Sequence, residues 1–123
     1  MRILADTHVL LWWLSDSDRL PARHREALAD PDNDVAFSAV SIAEIAIKAS
    51  LGKLEAPSDI AGHLVDGGFV PLPFTAEHAA ELRDLPWHHR DPFDRMLVGQ
   101  ARVEGMTLAT ADAHVAAYDV RTL

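Results

Sequence analysis

The 123-residue sequence contains no cysteine, which excludes a disulfide framework and a thiolate zinc site. It also has no apolar run that approaches the roughly 18 residues of a membrane span. Asp6 interrupts the first apolar stretch almost at once, so the N-terminus does not have the pattern of a signal peptide. We therefore expect a cytoplasmic protein with no membrane partner.

Positive charge is scarce as well, because 11 Lys and Arg residues face 19 Asp and Glu residues and the formal net charge is -8. This balance excludes a broad electropositive surface that binds nucleic acid by charge alone. It does not exclude a nuclease, since carboxylates gathered around divalent cations raise the formal negative charge and the cations offset part of it.

Apolar residues are abundant at 49% of the chain, which predicts one folded domain over residues 1–123. Short apolar runs predict strands near residues 3–5, 35–38, 69–72 and 106–110, with a last edge strand near 120–122. Segments with helical features separate them, near residues 7–14, 21–29, 41–51, 58–67, 75–85, 92–104 and 113–118. This alternation predicts an α/β sandwich, with helices around a mostly parallel sheet of four to five strands.

Two of the predicted helices have recognisable starts. Asp91 suits the N-cap of the late helix, because its side chain can accept from first-turn N–H groups, and Pro92 follows at the first helical position. Asp94 then lies in the first turn, beside the positive end of the helix dipole. In the helix after the second strand, Ser41 and Glu44 match a capping box.

Four of the 19 acidic residues differ from the other fifteen because they lie next to the carboxyl ends of predicted strands. Asp6 ends the first strand and Asp112 follows the fourth, while Glu44 and Asp94 lie in the first turns of helices next to the second and fourth strands. In parallel sheets such positions meet at the rim formed by the carboxyl ends of the strands. Oxygen ligands there suit one or two Mg²⁺ or Mn²⁺ ions, which can activate a water and stabilise both reacting oxygens of a phosphodiester. In this interpretation Asp6, Asp94 and Asp112 are metal ligands and Glu44 ligates metal or orients the water.

Each acid also has a purely structural interpretation. Glu44 can complete its capping box, Asp6 and Asp112 can be turn or cap residues, and Asp94 can complement the helix dipole. These four roles would have to coincide at the same rim, which favours the metal site. Asp91 is interpreted mainly as a cap.

Further polar residues near this rim are candidates for supporting roles. The hydroxyls of Thr7, Ser38 and Thr110 can orient the metal site or bond to the backbone near strand ends. Lys48 lies four residues after Glu44, so it forms either an ion pair along the helix or a contact with a substrate phosphate.

Arg95 can contact a phosphate or an acidic group of a protein partner, and a solvated surface position is the alternative. His8, His88 and His89 match no compact zinc motif, and the adjacent pair is expected to point apart.

Four segments resemble the PIN-domain ribonucleases, and most closely the VapC-type toxins of prokaryotic toxin–antitoxin pairs. The segments cover essentially the whole chain in order: Ile3–His8, Ser38–Glu44, His89–Arg95 and Leu108–Asp112. By position, Asp6, Glu44, Asp94 and Asp112 match the acidic cluster of that family. The resemblance implies Mg²⁺- or Mn²⁺-dependent endonucleolytic cleavage of RNA and a cognate antitoxin. It also implies a homodimer, or a larger toxin–antitoxin assembly.

Two other classes compete with this interpretation. A receiver-type signalling domain is also α/β and acidic with bound Mg²⁺, but it needs a second acid beside Asp6 and a late lysine, and no lysine follows Lys53. A catalytically idle binding module on a PIN-like scaffold is the third possibility, and the presence of all four acids argues against it.

Overall fold

The computed structural model describes residues 1–123, and the strands and helices alternate along them. The strands are β1 (Arg2–Ala5), β2 (Asp34–Ser38), β3 (Val70–Leu72) and β4 (Thr107–Ala109). The helices are α1 (Thr7–Leu14), α2 (Ala22–Ala29), α3 (Ala39–Ser50), α4 (Ile60–Asp66), α5 (Ala76–Glu81), α6 (Pro92–Glu104) and α7 (Ala113–Ala116). A 3-10 turn over Leu82–Asp84 follows α5, where the sequence predicts one continuous helix to residue 85. None of the helices is long and apolar enough to cross a membrane.

The four strands form one parallel sheet in the order β3-β2-β1-β4. Leu4 of the central strand β1 pairs with Ala36 on one side and Leu108 on the other. The predicted α/β fold with a parallel sheet is therefore confirmed. The predicted fifth strand is present only as a single parallel bridge between Leu108 and Thr122.

Alternating side chains of β1 supply two hydrophobic cores on opposite faces of the sheet. Ile3 and Ala5 pack in a cluster with α1 residues such as Leu10, while Leu4 packs on the other face with α6 residues such as Val98. All five are fully buried. Helices thus cover both faces, which is the normal environment of parallel strands, and their carboxyl ends open at one edge.

The start of α3 differs from the sequence prediction. The helix begins at Ala39, and Ser38 is its N-cap, accepting from the Val40 N–H at 2.9 Å. Ser41 is therefore a buried residue inside the helix, and Glu44 lies in the second turn with no capping box. The physical reason is that β2 runs directly into α3 without a loop, so the last strand residue also caps the helix.

Gly99 lies where α6 crosses α5 most closely. A Cβ atom at this position would lie 3.2 Å from Leu82 Cδ2 and 3.4 Å from the His78 carbonyl oxygen. Glycine therefore allows a close helix contact that offsets its low helix propensity.

A larger side chain at Gly99 should disturb this contact. We expect Gly99→Leu to lower the free energy of unfolding by about 1–3 kcal/mol, since the added atoms overpack the crossing. Chemical denaturation measures the change, and Ala80→Leu on the exposed side of α5 is the control. Equal losses in the two variants would show that the crossing at Gly99 is not tight.

Candidate metal centre

Two aspartates follow neighbouring strands and cap the helices that begin there. Asp6 follows β1 and accepts from the Val9 N–H through Oδ1 at 2.9 Å. Asp112 follows β4 and accepts from the His114 N–H through Oδ1 at 2.8 Å. Because β1 and β4 are adjacent and parallel, both carboxylates lie at the same edge of the sheet. Each cap holds one carboxylate oxygen and thereby orients the other.

The start of α6 brings a second pair of aspartates to the site. Asp91 is the N-cap, and its Oδ1 accepts from the Phe93 N–H at 2.9 Å and the Asp94 N–H at 3.2 Å. Pro92 occupies the start of the helix, as the sequence predicts. Asp94 lies in the first turn, and its carboxylate is not used in capping, so it is available to the cluster.

His89 joins Asp94 to Asp112. Its Nε2 lies 3.0 Å from Asp94 Oδ2 and 3.3 Å from Asp112 Oδ2, and one ligand atom from each of the three residues lies within 4.8 Å of the others. His89 Nδ1 accepts from the Arg90 N–H at 3.0 Å, so Nε2 is the ring nitrogen that donates to the carboxylates.

His89 is a site residue that the sequence does not predict, because its spacing from the other histidines matches no zinc motif. The contact depends on the loop before α6, where the Tyr118 hydroxyl accepts from the His89 N–H at 3.1 Å. Tyr118 is 29 residues away along the chain, so local spacing carries no signal for it. The only available signal was the place of His89 two residues before the N-cap Asp91.

Glu44 contributes a buried carboxylate from α3. Its Oε2 lies 2.5 Å from Lys48 Nζ, and its Oε1 has no hydrogen-bond partner. Because a buried oxygen without a partner is costly, this atom is a place where a ligand would be favourable. Of the two roles that the sequence allows for Lys48, the structure has the ion pair with Glu44 along the helix.

Burial and the neighbouring carboxylates raise the proton affinity of Asp94. Burial, followed by the charges of Asp91, Asp6 and Glu44, raises the pKa of Asp94 to about 6, although His89 acts to lower it. These charges act together because the four side chains lie close to one another. The site thus concentrates negative charge that the protein itself only partly compensates.

Asp6 and Asp112 differ in their surroundings. Burial raises the pKa of Asp6, while hydrogen bonds from Thr110 and the Val9 N–H oppose this effect. The pKa of Asp112 is lowered, because hydrogen bonds from the backbone and ring of His114 outweigh its partial burial. Thr110 Oγ1 also accepts from the Asp112 backbone N–H at 3.1 Å, so one hydroxyl links the Asp6 carboxylate to the backbone of Asp112.

The hydroxyls of Thr7 and Ser38, which were also candidates for supporting roles, are buried. Thr7 donates to Ser41 Oγ at 3.0 Å, and this buried bond ties α1 to α3 beneath the cluster. Ser38 Oγ lies 2.5 Å from Gln100 Oε1 while it caps α3. Both residues hold the helices that carry Asp6 and Glu44, and neither hydroxyl makes a bond to those carboxylates.

Arg95 differs from both of its predicted roles. It is buried, and its guanidinium donates to the Pro86 carbonyl at 2.8 Å and the Tyr118 hydroxyl at 3.0 Å. The carbonyls of Leu82 and Leu85 accept from its other terminal nitrogen. Because α6 turns about 100° per residue, Arg95 faces this loop rather than the acidic edge. It is therefore neither solvated nor available to a phosphate, and it holds the loop that carries His89.

The donor set fits a hard divalent cation. Asp94 and Asp112 lie with His89 in one group of possible ligand atoms, and Asp6 and Glu44 act on Asp94 through their charges. All four carboxylates offer the oxygen ligands that Mg²⁺ and Mn²⁺ prefer, and Glu44 Oε1 has no hydrogen-bond partner. A cation would also offset the repulsion that raises the pKa of Asp94. The His89 N–H contacts two of the same carboxylates, so a cation would have to share them with His89 or displace it.

Comparisons with known proteins agree with this fold. A family model described as "PIN domain" matches residues 3–121. VapBC2 from Rickettsia felis, solved with a promoter DNA fragment, aligns with a TM-score of 0.72 at 16% identity, over 100% of this chain and 98% of the other. DNA-bound VapBC from Salmonella typhimurium gives 0.68 at 17% identity, over 100% and 97%. FitAcB from Neisseria gonorrhoeae gives 0.60 at 22% identity, over 98% and 96%. No curated protein matches the sequence.

Removing the Asp94 charge should stabilise the protein in EDTA. We expect Asp94→Asn to raise the free energy of unfolding at pH 7.5 by about 1–3 kcal/mol, because the native charge is buried among other carboxylates. The pKa of Asp94 is about 6 in the folded chain against an ordinary 3.8. The native chain therefore takes up a proton on folding between these values, and the gain should shrink as pH falls below 6.

Urea denaturation at pH 7.5 and pH 5 measures both effects. Asp32→Asn, at an exposed loop position, is the control and should leave stability unchanged. A loss of stability in Asp94→Asn at pH 7.5 would contradict the electrostatic account of the cluster.

Proposed function

The chain belongs to the PIN domain family, and from this membership we propose that it is a divalent-metal-dependent endoribonuclease, the VapC-type toxin of a toxin–antitoxin pair. The observation that carries the proposal is the set of acidic side chains at the carboxyl ends of β1 and β4. Burial and the charges of Asp91, Asp6 and Glu44 raise the pKa of Asp94, and Glu44 keeps a buried oxygen without a partner. A purely structural set of caps explains neither property.

Asp6, Asp94 and Asp112 would hold one or two Mg²⁺ or Mn²⁺ ions. When bound, such an ion supplies a Lewis acid that activates water and stabilises charge on the phosphodiester oxygens. Asp91 would add charge beside Asp94 while it fixes the helix start. Thr110 would hold the Asp6 carboxylate beside the backbone of Asp112 through its two hydrogen bonds.

Glu44 would orient the attacking water and accept its proton. Lys48 holds Oε2 and leaves Oε1 as the free acceptor, so the carboxylate presents one defined oxygen. Proton transfer to a positioned side chain commonly accelerates a reaction by about 100-fold or more. No serine or cysteine nucleophile is needed, because water is the nucleophile of the proposed reaction.

An antitoxin would bind the groove that leads to Glu44. The groove has a volume of about 540 Å³, and Trp12, Leu54 and Ile60 are among the apolar residues that line it. Glu44 and Lys48 lie in its wall, so an occupant would reach the acidic edge. A basic side chain there would compete with metal for the carboxylates. The similarity to VapBC complexes supports this part of the proposal.

The protein would also form a homodimer. Ile47 lies in the last turn of α3 and Leu51 is the C-cap of this helix, and their exposed fractions are 47% and 62%. Large aliphatic side chains at this exposure form an apolar face that a second copy would cover. We propose a cytoplasmic toxin dimer that is silenced by the antitoxin.

Loss of one ligand should abolish metal-dependent cleavage. We expect Asp94→Asn and Asp6→Asn each to lower the rate of Mg²⁺-dependent cleavage of cellular RNA by at least about 100-fold. Sequencing of RNA ends after induction identifies the cleavage sites in native and variant samples. Asp32→Asn is the charge-matched control. Full cleavage by either ligand variant would exclude this mechanism, and inactive native protein with bound metal would favour an idle binding module.

The dimer face can be tested separately. We expect Leu51→Glu to convert the dimer to a monomer, because it places a charge in a covered apolar contact. Light scattering after size-exclusion chromatography measures the mass. Val65→Glu changes a residue of similar exposure on α4, at 49%, and should leave the dimer intact. A dimer that persists in Leu51→Glu would place the interface elsewhere.

A further inference from the structure

A second cavity, beside the acidic cluster, carries the opposite charge. It has a volume of about 470 Å³ and lies between α5, the start of α6 and the loop that joins them. Three of its eight lining residues are arginines, and none is acidic. Arg95 is held by backbone carbonyls, whereas Arg83 and Arg90 are exposed and can contact a ligand. In a chain of net charge -8, this is a local excess of positive charge. An anionic ligand is therefore the occupant that the cavity favours.

Trp87 gives this cavity a rigid aromatic face. Its side chain is 74% exposed, although the Arg95 guanidinium carbon lies 3.7 Å from its ring centroid. The guanidinium is itself held by backbone carbonyls and by the Tyr118 hydroxyl. One face of the indole thus rests on a fixed cation, while the other remains open to solvent. Such a preorganised ring loses little entropy when a planar ligand stacks on it.

The loop that carries Trp87 also enters the acidic cluster. His89 is two residues further on, within about 7 Å along the chain, and its Nε2 contacts Asp94 Oδ2 at 3.0 Å. Arg90 lies between His89 and the helix cap Asp91. The aromatic face and the arginines thus form a surface that the loop from Trp87 to His89 joins to the acidic cluster.

We propose that this surface binds single-stranded RNA next to the cleavage site. An unpaired base stacks on the open face of Trp87, and Arg83 and Arg90 contact the phosphates on either side. Aromatic stacking combined with cationic side chains is the usual chemistry of single-strand recognition, and it tolerates any base. A protein partner without negative charge would leave the arginines without counterparts. The inference deepens the proposed ribonuclease function and rests on it.

Binding can be measured without cleavage. We would titrate a short, unstructured, fluorescently labelled RNA with the native protein in EDTA and follow its anisotropy. Trp87→Ala should raise Kd by about 5-fold to 150-fold, which corresponds to the cost of one lost stacking contact. Trp87→Phe should retain most of the affinity, since it keeps an aromatic face. Unfolding curves of both variants confirm that the loop over Arg95 is still folded.

The arginines have their own signature, the dependence of Kd on salt. Arg83→Ala and Arg90→Ala should each reduce the slope of log Kd against log salt concentration by about 0.7–1. Arg2→Ala is the control, because Arg2 is the first residue of β1 and the cluster lies at the other end of the strands. It should leave the slope unchanged.

The outcomes separate the inference from the proposed function. If Trp87→Ala binds RNA as tightly as the native chain while the native chain cleaves RNA, the inference fails and the function stands. If Trp87→Ala alters the oligomeric mass but not Kd, the surface is a protein interface and the inference is wrong. If the native chain binds RNA through Trp87 but never cleaves it with Mg²⁺ or Mn²⁺, the binding surface stands and the proposed function fails.

Discussion

The mutual repulsion of carboxylates at one edge of a parallel sheet is the constraint on which the rest of this structure depends. Asp6, Asp91 and Asp112 are each anchored by a helix N-terminus, where N–H groups and the helix dipole favour negative charge. Asp94 has no such anchor through its carboxylate, and its pKa rises to about 6. The fold thus holds together charges that would separate in solution, which is the condition for binding a divalent cation.

A second set of contacts supports this edge from behind. Arg95 is buried one residue after Asp94, and it fixes the loop before α6 through backbone carbonyls and the Tyr118 hydroxyl. That loop presents His89 to the carboxylates and Trp87 to solvent. Burial of the Arg95 guanidinium has a desolvation cost. In return, Arg95 orients both His89, the donor inside the cluster, and Trp87, the aromatic face beside it.

Much of this arrangement follows from local sequence, and the rest does not. Pro92 and the apolar stripe of α6 predict where the helix starts. The sequence alone therefore distinguishes Asp91, the cap, from Asp94, the candidate ligand. The position of Ser38 as cap, rather than Ser41, depends on β2 entering α3 without a loop, which propensities do not reveal. The burial of Arg95 and the contact of His89 depend on Tyr118, more than 20 residues away. Such tertiary contacts bury Arg95, although a solvent-exposed position is the usual expectation for an arginine.

The central claim is that the acidic edge is a divalent cation site whose ligands bind protons when metal is absent. Calorimetric titration of Mn²⁺ at pH 6.5, repeated in buffers of different ionisation enthalpy, measures both the affinity and the protons released. We expect Mn²⁺ binding to release protons, because Asp94 has a pKa of about 6 and must be ionised to coordinate metal. Proton release should fall in Asp94→Asn. If Mn²⁺ does not bind, or if Asp94→Asn binds Mn²⁺ and releases protons as the native chain does, the acidic edge is not such a site.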